Sequence, residues 1–184
     1  MPGHLSAVAL GLLTWTFLEY GLHHWVGHLG RGRPEASREH LKHHATPDYF
    51  SPPIKKLALA VPVLSVLSVI AALPTTWITG LLYGGAVGAG WLGYEVAHRR
   101  IHVAGPTHAY GRWMRRHHLH HHFNPRMNHG VTSPLWDLVF RTWERPGVVQ
   151  IPRRHAHRLP WLLVPGEGAG RDVRSELAQD YRVV

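Results

Sequence analysis

The chain contains no cysteine. Disulfides, zinc ribbons and thiolate nucleophiles are therefore excluded, and any metal must be held through nitrogen or oxygen. Positive charge is missing over two long stretches: no Lys or Arg precedes Arg31, and none lies between Lys56 and Arg99. The formal charge of +9 on 184 residues is confined to three blocks, residues 31–56, residues 99–126 and the segment from Arg141 onward. A nucleic-acid-binding domain interleaves its cations with aromatic and polar residues and leaves no such apolar gaps, so no nucleic-acid partner is expected. A membrane protein with its basic loops on one side shows this distribution. The beginning of the chain lacks the basic segment of a secretory signal, and Glu19 interrupts its apolar run. It reads as a retained membrane segment.

From Leu57 to Tyr94, 38 residues carry no formal charge, and Pro74 divides them into runs of 17 and 20. A bilayer core of ~30 Å takes about 20 helical residues, so two crossings with a hairpin at Pro74 are expected. Gly3 to Tyr20 supplies a third crossing. The expected fold is all-α: a polytopic membrane protein with about three transmembrane helices and a cytoplasmic helical cap. Residues 1–145 are assigned to the membrane-embedded domain. Residues 146–184 are assigned to a basic cytoplasmic C-terminal tail, with Gly166-Glu167-Gly168-Ala169-Gly170 linking to a short polar helix. Two crossings between His44 and His98 return the chain to the side it left. All histidine clusters then share the side of the cation blocks, which is cytoplasmic.

Ten of the 18 histidines fall into clusters. These are His23 with His28, His40 with His43 and His44, His98 with His102, and His118 with His121 and His122. Helix positions i, i+3 and i+4 share a face, so each HxxHH triplet is expected to offer three imidazoles to one small volume. His23 and His28 diverge by about 140° on an ideal helix and need a helix end or break, which Gly27 permits. Ten imidazoles exceed what one ion takes, and two ions with about five nitrogens each is the natural count. Imidazole suits Fe, Zn, Cu and Ni alike. Carboxylates that accept the other ring N–H of a ligating histidine are expected nearby, with Glu19, Glu95 and Asp137 as candidates. Asp137 could instead serve the N-terminus of a helix starting at Ser133-Pro134. His4, His24, His108, His155 and His157 read as surface or satisfied polar residues, and His117 and His120 as solvent-facing neighbours. A non-catalytic metal carrier would need polar residues along its crossings, and segment 57–94 offers only hydroxyls. A structural protein binding anionic lipid would leave the histidine spacing unexplained.

These boxes resemble those of the membrane-bound fatty acid hydroxylase and sterol desaturase superfamily, and most of all the fatty acid 2-hydroxylases. Glu19-Tyr20-Gly21-Leu22-His23 is similar to their first box, and Gly93-Tyr94-Glu95 leads into the third as theirs does. Gly130 through Asp137, with Phe140 and Thr142, resembles the segment after their last box. The resemblance covers about residues 17–143. It implies a dinuclear centre, expected to be two iron ions that zinc can replace during isolation, with molecular oxygen as co-substrate. It also implies a lipid substrate whose acyl chain is hydroxylated, with carotenoid hydroxylation or sterol-type desaturation as alternatives. Phe123 aligns with the aromatic after the family's last HH, which favours His118, His121 and His122 over His117, His120 and His121. The sequence departs from the pattern in three places. His24 stands where arginine is usual, His129 stands where phenylalanine is common, and there is neither a fused haem domain nor a fourth crossing. A separate electron donor of ferredoxin or cytochrome b type is therefore expected.

Overall fold

The computed structural model describes residues 2–165 and 172–184. Six helices precede a small C-terminal unit. They are α1 (Pro2–Gly21), which runs on into a π-helical turn (Leu22–His28), α2 (Glu35–Ala45), α3 (Pro53–Ala72), α4 (Trp77–Val103), α5 (Ala109–Phe123) and α6 (Leu135–Val139). Their starts follow from local chemistry. Pro53 opens α3 at a position where a missing N–H costs nothing. The Thr76 hydroxyl accepts from the Thr79 N–H at 3.2 Å to cap α4. His108 Nδ1 accepts from the Gly111 N–H at 3.0 Å to cap α5. The turn between α3 and α4 falls at Pro74, as the sequence leads one to expect.

α4 packs against both α1 and α3. Small residues set the approach: a Cβ on Gly11 would lie 2.5 Å from the Tyr83 carbonyl oxygen and 2.7 Å from the Ala86 Cβ. Backbone cannot give way cheaply, so Gly11→Ala is expected to push α1 off α4 and destabilise the protein by about 1–3 kcal/mol. Gly85→Ala, on open surface, should be neutral or stabilising by up to about 1 kcal/mol. Thermal unfolding of the two purified variants separates these outcomes.

Among the described residues, two helical stretches are long and apolar enough to cross a membrane, residues 3–28 and Pro53–Ala72, with mean hydropathy 1.4 and 2.0. α4 is not one of them. Six glycines dilute its apolar character, and its last turns carry Glu95, His98, Arg99, Arg100 and His102. The third expected crossing is therefore not supported by hydropathy.

The C-terminal segment carries a two-stranded sheet and most of a buried core, so the fold is not purely helical. β1 (Val149–Ile151) pairs in parallel with β2 (Tyr181–Val183), with Val149 opposite Tyr181 and Ile151 opposite Val183. Around them, α7 (Arg153–Ala156), Leu159, Trp161, Leu162, Leu163 and Leu177 build a core against Ile101 and Leu119. The short polar helix expected near the end is a single 3-10 turn, Ser175–Leu177, leading into β2. Apolar residues scattered among Pro, Gly and Arg do not reveal a core whose other half lies on α4 and α5. The Gly166–Gly170 linker lies outside the described residues.

Candidate metal centre

Ten imidazoles converge into two groups. His23, His28, His40, His44 and His121 form one, and His43, His98, His102, His118 and His122 form the other. Within each group, one ligand-capable atom per residue lies within 4.8 Å of the rest. The groups adjoin, with the His44 ring stacked on that of His122 at 4.2 Å and 10°.

Neither HxxHH triplet fills a single volume. On a helix of 3.6 residues per turn, i and i+4 differ by about 40°, whereas i+3 and i+4 differ by about 100°. The i,i+4 pair therefore enters one group and the i+3 histidine the other. α2 sends His40 and His44 to the first group and His43 to the second. α5 does the converse, sending His118 and His122 to the second group and His121 to the first. Each group is completed by a pair from a long helix. His98 and His102 are an ordinary i,i+4 pair on α4.

His23 and His28 are five apart, and the π turn brings them together. Hydrogen bonds there run i to i+5, as in Leu29 N–H to the His24 carbonyl at 3.0 Å, so residues five apart stack. The two rings lie 5.5 Å apart at 29°. A widened turn replaces the expected break in the helix.

Several rings are oriented by main-chain carbonyls. His43 Nδ1 donates to the Tyr49 carbonyl at 2.8 Å, His121 Nδ1 to the Met127 carbonyl at 2.7 Å, and His23 Nδ1 to the His129 carbonyl. A carbonyl only accepts, so Nδ1 carries the proton and Nε2 keeps its lone pair. The Nε2 atoms of His23, His43 and His44 are buried without a hydrogen-bond partner. His28 Nε2 lies 2.9 Å from the Nε2 atoms of both His40 and His121. His118 Nε2 lies 3.1 Å from those of both His102 and His122. Each Nε2 has one in-plane site, a proton or a lone pair, and cannot serve two neighbours at once, whereas a cation at each centre can take every lone pair. Burial pushes His43 down to about 4 and holds His44, His118, His121 and His122 well below the usual imidazole range. The rings are neutral at pH 7, the form that binds metal. This nitrogen-only set fits first-row transition ions better than magnesium or calcium.

The three carboxylates sit one step further out than expected. Glu19 accepts from the N–H groups of Val131 and Thr132 at 2.6 and 2.7 Å and from the Thr132 hydroxyl at 2.5 Å. Asp137 accepts from the N–H groups of His129 and Gly130 at 2.7 and 2.8 Å and from the Thr142 hydroxyl at 2.8 Å. It thereby holds the loop whose His129 carbonyl orients His23. Glu95 pairs with Lys56, tying α4 to α3. Among the described residues, no oxygen of the three is hydrogen-bonded to any of the ten clustered rings, and the acceptors for His23, His43 and His121 are carbonyls.

His117 is fully buried, stacked on Trp113 at 5.0 Å and 3.5 Å from Asp137, so it is not the solvent-facing residue expected. His120 reaches Glu144 at 3.2 Å on the outside of α5. His129 is also buried, its ring 5.0 Å from that of His121 and 4.0 Å from that of half-buried His24. Its position was not legible as part of the site. Of the histidines read as surface residues, His155 is buried against Phe123 at 5.5 Å.

Helices that carry two HxxHH triplets and two further pairs into adjoining imidazole groups define a histidine-box scaffold. The chain belongs to the fatty acid hydroxylase family, whose model matches residues 8–142. It is 32% identical over 148 residues to dihydroceramide fatty acyl 2-hydroxylase FAH1 of Arabidopsis thaliana, covering 77% of this chain and 62% of the relative. It is 32% identical over 149 residues to the ceramide very long chain fatty acid hydroxylase SCS7 of Saccharomyces cerevisiae, covering 74% of this chain and 38% of the relative. The solved structure of full-length scs7p, with only the hydroxylase domain visible, superposes with a TM-score of 0.62 at 30% identity, covering 78% of this chain and 57% of that one. The chain spans about three fifths of the length of the Arabidopsis relative and less of the yeast one.

Proposed function

We propose that the protein is a membrane oxidoreductase that hydroxylates a lipid acyl chain with molecular oxygen. The observation that carries this reading is the pair of adjoining imidazole groups, each of five histidines, built by helices of a fatty acid hydroxylase. His23, His28, His40, His44 and His121 would hold one iron ion, and His43, His98, His102, His118 and His122 the other. Zinc is able to take the same sites on isolation. Bound iron would activate molecular oxygen, the oxidant, for a step that no side chain can perform. The chain's own part is to fix ring orientation through the carbonyls of Tyr49, Met127 and His129 and to keep the imidazoles neutral by burial. A donor of ferredoxin or cytochrome b type would deliver electrons.

The test is turnover in vesicles with a reducing system. Oxygen-dependent appearance of a hydroxylated acyl species is expected. A desaturated or carotenoid product would move the reaction within the same chemistry, and metal uptake without oxygen consumption would overturn the enzyme reading.

The proposed topology has three crossings, α1, α3 and the part of α4 before Glu95, with the metal centre on the cytoplasmic face. The α4 crossing rests on its lack of charge and its packing along α1 and α3, not on hydropathy. The chain lacks cysteine, so single cysteines at Ala45, Gly105 and Gly147 report sidedness cleanly. All three are expected to label from the cytoplasmic side only. Labelling of any one from outside would contradict this topology.

A further inference from the structure

We infer that α6 and the π turn form a patch that lies in the membrane interface without crossing it, so that lipid contacts an element of the metal centre itself. This rests on the proposed membrane insertion. α6 is inverted relative to a helix facing water. Its one charged residue, Asp137, is wholly buried, while Leu135, Leu138, Val139 and the following Phe140 are 40%, 55%, 57% and 42% exposed. A helix on an aqueous surface turns its apolar side inward and its charges outward.

The patch is continuous with the candidate span at residues 3–28. Trp136 packs edge-on against Phe17 at 4.9 Å and donates its indole N–H to the Thr16 hydroxyl at 3.0 Å. Phe140 stacks on Tyr20 at 5.1 Å and meets Trp25 at 5.6 Å. Trp25 is exposed there, as are Leu22 and Leu29 at the two ends of the same π turn. α6 therefore docks at the level of Thr16 to Tyr20, alongside the last turns of α1. The indoles of exposed Trp25 and half-buried Trp136 at that level match the aromatic belt of a bilayer surface. Exposed Arg141, in a left-handed turn at φ 58°, follows Phe140 and marks the return to water.

A lipid surface is the occupant that these observations favour, because the patch extends a face that already meets lipid in the proposed topology. The functional consequence is that α6 is a wall with two faces. Outward it meets lipid, and inward Asp137 holds the loop of His129 that orients His23.

The cysteine-free chain allows a direct test on the full protein. Single cysteines replacing Leu138 or Val139, each labelled with an environment-sensitive fluorophore, are placed in vesicles containing nitroxide lipids. Gly147→Cys serves as the aqueous reference and Val66→Cys on α3 as the membrane reference. Quenching at both α6 positions is expected to exceed that at Gly147 by about twofold or more, and to be stronger for a nitroxide near the head group than deep in the acyl chain. If Val66 is quenched and both α6 positions match Gly147, the interfacial patch is wrong and the membrane reading stands. If Val66 is not quenched, the membrane reading itself falls and takes the patch with it. Shielding at α6 that follows protein density but not nitroxide would mean that a second copy covers the patch, which also overturns the inference.

Discussion

His121→Ala is expected to abolish lipid oxidation and to lower bound metal, because His121 is the single histidine that α5 contributes to the first imidazole group. Removing only an outer hydrogen-bond partner of a metal ligand costs about 10–100-fold, and loss of the ligand itself should exceed that. His120→Ala should leave activity within about twofold, since a surface pair such as His120 with Glu144 contributes at most about 1 kcal/mol. His117→Ala, by contrast, opens space beside Trp113 and Asp137 in the interior and should lower stability. Product formation, metal content and unfolding temperature across the three variants separate these cases. Full turnover in His121→Ala would remove α5 from the centre.

Asp137→Ala is the second large effect. The substitution strands the buried N–H groups of His129 and Gly130 and takes one of two partners from the Thr142 hydroxyl, which keeps Tyr20. A buried donor left without an acceptor costs about 1–3 kcal/mol, so a total loss of about 3–5 kcal/mol is expected. Metal affinity should fall as well, because the displaced His129 carbonyl no longer fixes the proton of His23 on Nδ1. Asp137→Asn retains one acceptor oxygen and should fall between wild type and Asp137→Ala. Denaturant midpoints together with metal titration provide the check. A variant that loses stability but binds metal as wild type would confine Asp137 to a structural role.

The ring-bearing positions were legible in the sequence because they repeat at helical spacing, and α2, α4 and α5 bring those residues together. How the triplets divide was less legible. The division follows from the 100° between adjacent positions, yet which pair joins which group depends on how α2 and α5 face each other. His23 and His28 announced an irregularity by their spacing of five, but not that a π turn would resolve it.

The groups that orient the rings were hidden for a different reason. Carbonyls of Tyr49, Met127 and His129 exist at every residue and leave no mark in the side-chain pattern. Glu19 drew notice as a charge at the end of an apolar helix and Asp137 as a carboxylate beside a helix start, and both fasten the loop from His129 to Thr132. The C-terminal unit escaped notice because Val149, Ile151 and Tyr181 form a core only with partners far away in the chain. Trp161 illustrates the link, donating its indole N–H to the His102 carbonyl at 3.0 Å.

Metal stoichiometry tests the central claim most directly. Protein purified without oxygen and analysed for iron and zinc together should hold two ions per chain, five imidazoles serving each. Replacing His28 alone should deplete one site, and replacing His28 and His118 together should deplete both. One ion or none per wild-type chain, or two ions undisturbed by the double replacement, would contradict the paired-site account.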